Sequence, residues 1–184
     1  MVNRMKKAQL FSNDIIFAIL LVLFTFTLWL TLRERVLNII TTSDDRRQLD
    51  EAASSAMSQL LESSGVPSNW DRLSTIDDTT VSSIGIVSDR NNLDSGKTSV
   101  FVSTASSDDT NYTITKQLLG LNRESYKFNF TVSSLSGNTI YSINYTPSGD
   151  YNASYAATNT TAFVERFALL NNSLVKVTLG VWIE

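Results

Sequence analysis

The chain has 184 residues, with 15 Lys or Arg against 18 Asp or Glu and a formal net charge of −3. It contains no cysteine and no histidine. That excludes disulfide frameworks, thiolate metal sites and cysteine nucleophiles, and it removes the commonest general base and metal ligand.

The first element predicted is a membrane-length helix. Ile15 to Leu32 form an uncharged, mostly apolar run, with Arg4, Lys6 and Lys7 before it and Arg33 after it. Eighteen helical residues rise ~27 Å, close to the ~30 Å hydrocarbon core of a bilayer. The basic end is expected to stay in the cytoplasm and the remainder to lie outside. From Ala52 onward there are 8 basic and 12 acidic residues, a net of −4, which argues against nucleic-acid binding. A cleaved secretory signal needs a shorter apolar core and a small-x-small site after it. Thr31-Leu32-Arg33-Glu34 offers none. An uncleaved anchor fits the length and the flanks, and a cut placed before the run is the other reading. Trp29 suits an interfacial aromatic belt. Thr25, Thr27 and Thr31 are expected to bond back to the preceding turn, in preference to bonding across helices.

The residues Lys6-Lys7-Ala8-Gln9-Leu10-Phe11-Ser12 resemble the class III signal peptide of archaeal type IV pilin-like proteins. The resemblance implies a basic leader over residues 1–8, cut between Ala8 and Gln9 by a prepilin peptidase. The freed helix would then leave the membrane and bundle with other pilin subunits. Phe11, Asp14, Ile15, Phe17, Leu21, Phe24 and Leu28 would belong to that assembly helix. The family often carries an acidic residue fifth in the mature chain. Here Asn13 is fifth and Asp14 sixth, and Asp14 equally suits a membrane edge or a helix N-terminus.

From Arg33 to Ser64 there is no Pro or Gly, and Leu49, Ala53, Ala56 and Leu60 recur at helical spacing. One long helix over residues 9–64 is expected, with segment 15–32 as its transmembrane or assembly part. Its outer half carries a single apolar stripe, as for a helix packed on its own domain. Gly65-Val66-Pro67 is a strong stop. Thr41-Thr42-Ser43 marks a possible break, because these residues favour caps over helix interiors.

Residues 65–184 read as an extracellular α+β head. Tyr126, Phe128, Phe130 and Val132 alternate with polar residues, Gly137-Asn138 turns the chain, and Ile140 to Tyr145 returns. A second hairpin runs from Ala162 to Leu170, turns at Asn171-Asn172, and returns through Val175, Val177, Leu179, Val181 and Ile183. These four antiparallel strands need a cover on their apolar face, which the helix stripe can supply. Asn111 to Leu119 followed by Gly120 reads as a short helix. Thr98 to Thr104 is β-branched and favours a strand on propensity. The order and spacing of Gly65-Val66-Pro67-Ser68-Asn69-Trp70, Ile84-Gly85-Ile86, Leu93, Lys97, Tyr112, Lys116, Leu119-Gly120-Leu121 and Tyr126-Lys127-Phe128 resemble the head of archaeal pilin-like proteins. That resemblance implies a helix from about Ser95 to Ser103 instead.

Six Asn-x-Ser/Thr sequons begin at Asn111, Asn129, Asn144, Asn152, Asn159 and Asn171, candidate N-glycosylation sites on an exported domain. Asn171, in a turn, is the best placed. Ser95-Gly96-Lys97-Thr98 imitates the end of a P-loop but has Asn91 where the upstream glycine belongs. Asp89, Asn91 and Asp94 lack the glycine and distal glutamate of a calcium loop. The pairs Asp44-Asp45, Asp77-Asp78 and Asp108-Asp109 read as solvated charge or helix-start acids. No catalytic constellation, metal site or cofactor is expected. The resemblance implies a pilin or minor pilin of an archaeal surface filament, with the membrane, other subunits and the peptidase as partners. Its alternative is an uncleaved single-pass surface glycoprotein acting as a binding module, the surface ligand being open in either case.

Overall fold

The computed structural model describes residues 2–143 and 161–183, and within them the side chains of all but residues 2–14 and 37–43. The fold is α+β: a long N-terminal helix precedes a curled, mixed sheet. Helix α1 spans Val2–Glu62. Two compact units divide the chain, Met1–Asp45 and Arg46–Glu184, so the last turns of α1 belong with the head. The backbone is helical through Thr41, Thr42 and Ser43, and the break considered there is absent.

In the second unit the expected stripe is the centre of the core. Leu49, Ala53, Ala56, Met57 and Leu60 are fully buried and share one cluster with the inner face of the sheet. Two small residues, Ala53 and Ala56, stand between Leu49 and Leu60 along the stripe. The stop falls where the sequence places it, with Gly65 at φ +87°. A Cβ there would also lie 2.4 Å from the Trp70 ring, so both conformation and space demand glycine.

Past the helix, a single 3-10 turn at Trp70–Arg72 leads to strands β1 (Val87–Asp89) and β2 (Asn92–Leu93). Helices α2 (Ser95–Ala105) and α3 (Asp109–Leu118) follow. Strands β3 (Tyr126–Ser134), β4 (Thr139–Ile143), β5 (Thr161–Leu170) and β6 (Ser173–Ile183) complete the head. The described strands form one sheet in the order β1-β2-β5-β6-β3-β4. The four strands anticipated from alternation are β3 to β6, all paired antiparallel. Beyond them stand β1 and β2, too short to show a period, and β2 joins β5 in parallel. That pairing is what makes the sheet mixed.

Segment 95–105 is helical against its β propensity, for two local reasons. The Asp94 side chain accepts from the Lys97 N–H, a helix cap. Thr98 Oγ1 donates to the Asp94 carbonyl at 2.7 Å, so its hydroxyl supports the turn. Tertiary packing adds the rest: Phe101 meets Phe130 edge to face at 5.1 Å. In α3, Asp108 caps by accepting from the Asn111 N–H, and Gly120 at φ +76° ends the helix. The β5–β6 turn has φ +50° at Asn171 and +62° at Asn172, as a two-residue type I′ hairpin requires.

Candidate membrane segment and head surface

Ile15–Val36 is a helical stretch of 22 residues, and its most apolar 18-residue window has mean hydropathy 2.6. It is long and apolar enough to cross a membrane, and every one of its side chains is exposed. Phe17, Leu21, Phe24 and Leu28, spaced four, three and four apart, are 51–70% exposed, and Ile15 is exposed beside them. Such spacing sets four large side chains along one face. Phe11 and Asp14 lie among residues whose side chains are not described, and Ala8 and Gln9 lie there too. The backbone at all four is helical.

The threonine hydroxyls in this stretch are satisfied locally. Thr25, Thr27 and Thr31 hydroxyls donate to the carbonyls of Leu21, Leu23 and Thr27 at 2.7–2.9 Å, the back-bonding expected from sequence. Trp29 stacks on Phe26 at 6.1 Å, and the Arg33 guanidinium stands 5.6 Å from the Trp29 ring. An arginine drawn back over a tryptophan at the end of an apolar run is a pairing suited to a membrane–water boundary.

In the head, the segments around Trp70, Ile84-Gly85-Ile86 and Lys97 are tied to the end of α1 and the chain that leaves it. Gln59 Nε2 donates to the carbonyls of Ile84 and Leu118. The Ile86 N–H donates to the Leu60 carbonyl, and Trp70 Nε1 to the Gly85 carbonyl at 2.9 Å. Gly85 passes so close to the chain leaving α1 that a Cβ would lie 1.9 Å from the Ser63 carbonyl oxygen. Lys97, nearly buried, reaches the Ser64 carbonyl at 2.7 Å. Its P-loop-like neighbourhood is the first turn of α2, and its ammonium serves the chain beyond the helix end.

Lys116 follows the same logic and donates to the carbonyls of Arg123 and Glu124. Burial holds its ammonium below the ordinary lysine range, Lys127 adds to the effect, and Glu124 opposes it. The Tyr112 hydroxyl accepts from the Phe128 N–H at 2.7 Å and donates to the Phe128 carbonyl at 2.9 Å. The acidic residues have structural work. Asp94 and Asp108 are caps, and Asp109 lies in the first turn of α3. Asp77 accepts from the backbone and hydroxyls of Thr79 and Thr80. The Thr79 hydroxyl bond foremost keeps the Asp77 carboxyl below the usual carboxylate range. Among the described residues no three His, Cys, Asp or Glu converge as metal ligands.

The sequons fall in unlike settings. Asn111 lies within α3, its amide bonded to Ser107 Oγ and Asp108 Oδ2. Asn129 is in β3, with Thr131 Oγ1 donating to its side-chain oxygen at 3.3 Å. Asn171 is exposed in the β5–β6 turn. Asn144, Asn152 and Asn159 lie outside the described residues.

One feature escapes a reading by alternation. On the face of the sheet away from the core, Phe163 and Phe167 are 68% and 60% exposed, with Leu169 and Leu174 exposed beside them. The inward positions of β5 hold small Ala162 and Ala168, so apolar residues occupy both phases of the strand. Two-phase apolarity is the available signal. Comparison with family models, with curated proteins and with solved structures finds no match.

Proposed function

We propose that the chain is a structural subunit of a type IV pilin-like surface filament. Its apolar helix would hold it in the membrane before assembly and join it to other copies afterwards. One observation carries this reading: Ile15–Leu32 exposes large apolar side chains on every side, whereas the described residues from Arg46 onward fold around a core of their own. A coat of that kind requires an apolar surrounding, either lipid or the same helix from other copies. The lysine pair and small residue before Gln9 supply the rationale for processing. In this role the head is the outward part, and the protein does no catalysis.

A second reading, an uncleaved membrane anchor, draws support from Arg33 over Trp29 at the end of the apolar run. Processing separates the two. Native protein beginning at Gln9 supports the subunit, and protein beginning at Met1 or Val2 supports the anchor. Ala8→Leu is expected to block maturation and to remove the protein from sheared filaments, because a bulky side chain crowds the site before the cut. Normal maturation of that variant, with unchanged fractionation, would leave the anchor as the better account.

A further inference from the structure

The sheet's outer face places a sequon and an exposed aromatic ring in one row. Asn129 of β3 pairs with Gly180 of β6, and Gly180 pairs with Phe163 of β5. Gly180 has no side chain to separate its neighbours, and the Phe163 ring lies over it. A Cβ on Gly180 would stand 2.8 Å from that ring. Asn129 is thus about one strand spacing, ~4.8 Å, from the glycine that the ring covers. Thr131, the hydroxyl residue of the sequon, lies on the same face and bonds the Asn129 side chain.

We propose that Asn129 carries an N-linked glycan whose first sugars lie across Gly180 and cover the Phe163 ring. This rests on the reading above that the head is exported. The covering chemistry is favourable because one face of a pyranose is rich in C–H groups, which pack on an aromatic ring, while its hydroxyls point sideways. The surroundings match that mixed character. Between Phe163 and Phe167 stands Glu165, which accepts from Lys176 at 3.0 Å and from Thr178 at 3.4 Å. Such alternation of rings with hydrogen-bonding groups suits a sugar better than a dry protein contact, where the charges would need full desolvation. The attachment uses a lipid-phosphate-linked oligosaccharide as donor. The Asn129 amide nitrogen forms a bond to the anomeric carbon, the bond from that carbon to the phosphate oxygen breaks, and the lipid phosphate leaves as the amide loses one proton.

The test uses full-length protein from its native host, held in detergent. Mass spectrometry of the peptide containing Asn129 is expected to show a glycan, lost in Asn129→Gln and Thr131→Ala and retained in Phe163→Ala. Thermal unfolding of the head is expected to fall by about 2 °C or more on Asn129→Gln. In a Phe163→Ala background, the same change is expected to produce no further fall. Phe163→Leu, which keeps an apolar side chain without a ring, guards against loss of folding in Phe163→Ala and is expected to behave as Phe163→Ala does. An unmodified Asn129, or an equal fall with and without the ring, overturns the proposal. Glycan on Asn171 with none on Asn129 overturns it while leaving the exported head intact. A head protected from protease on intact cells, with no sequon modified, overturns both.

Discussion

Helix α1 carries two apolar surfaces of opposite kind. Between Ile15 and Val36 the large apolar side chains surround the helix and remain exposed. Between Leu49 and Leu61 they are confined to a stripe, and the stripe is buried in the head. The secondary structure is the same, so the pattern, not the helix, reports the surroundings each half was selected for. A stripe calls for a partner within its own chain. A coat calls for an apolar medium that the described residues do not supply.

The comparison breaks most visibly with one charge placed in each half. Leu60→Asp puts an unpaired carboxylate in a fully buried position and is expected to cost about 4 kcal/mol or more, enough to abolish cooperative unfolding of the head. Leu21→Asp is expected to leave head unfolding unchanged in detergent while reducing the membrane fraction, at about 3 kcal/mol for a charge near mid-bilayer. A lowered melting temperature in Leu21→Asp would show that the exposed half has a packing partner in the monomer.

Within the head, the two faces of β6 repeat the contrast on a smaller scale. Leu179 is fully buried and Thr178 points to the other face. Leu179→Asp should therefore unfold the head, whereas Thr178→Asp should lower its melting temperature only slightly, through the nearby Glu165. Similar melting for both would mean that the strand is shifted by one residue, which exchanges the faces. Tyr112→Phe removes one hydroxyl and strands both backbone groups of Phe128. An expected loss of about 2–3 kcal/mol by denaturant titration follows from leaving buried donors and acceptors unpaired.

The smallest effect is electrostatic. The Asp77 carboxyl ionises more readily in the folded chain than in an ordinary carboxylate of pKa 3.8. Its stabilising contribution is full above that value and is lost as pH falls through the lower folded pKa. Asp77→Asn should therefore shallow the acid limb of the stability profile, with the largest difference from the parent above pH 4. An unchanged acid limb would place the loss of stability at other carboxylates.

Sequence patterns were informative where one physical cause dominated. Leu49, Ala53, Ala56 and Leu60 repeat at helical spacing because one face packs. Val175, Val177, Leu179 and Val181 alternate because one sheet face packs. Asn171-Asn172 turns the chain because asparagine tolerates positive φ. Segment 95–105 was ambiguous because Thr98, Val100 and Val102 prefer strands in isolation. The Asp94 cap and the Phe101 contact outweigh that preference, and only the resemblance to pilin-like heads pointed to a helix. Strands β1 and β2 left no trace, since two or three residues cannot display a period and their partner β5 is distant in sequence. The aromatic row on the outer face went unread for another reason. Its significance depends on Gly180 and Asn129 being neighbours across strands, which no local pattern encodes.

Tyr112 has a consequence beyond the stability of the head. Among the described residues, β4 pairs with β3 only from Phe130 onward, and the tyrosine hydroxyl occupies both ladder groups of Phe128. A side chain there acts as a one-residue stopper on an otherwise extensible strand edge. Open edges recruit foreign strands, and the hazard grows when many identical copies are crowded together. By closing this stretch of backbone internally, the fold withholds a template for edge-to-edge aggregation.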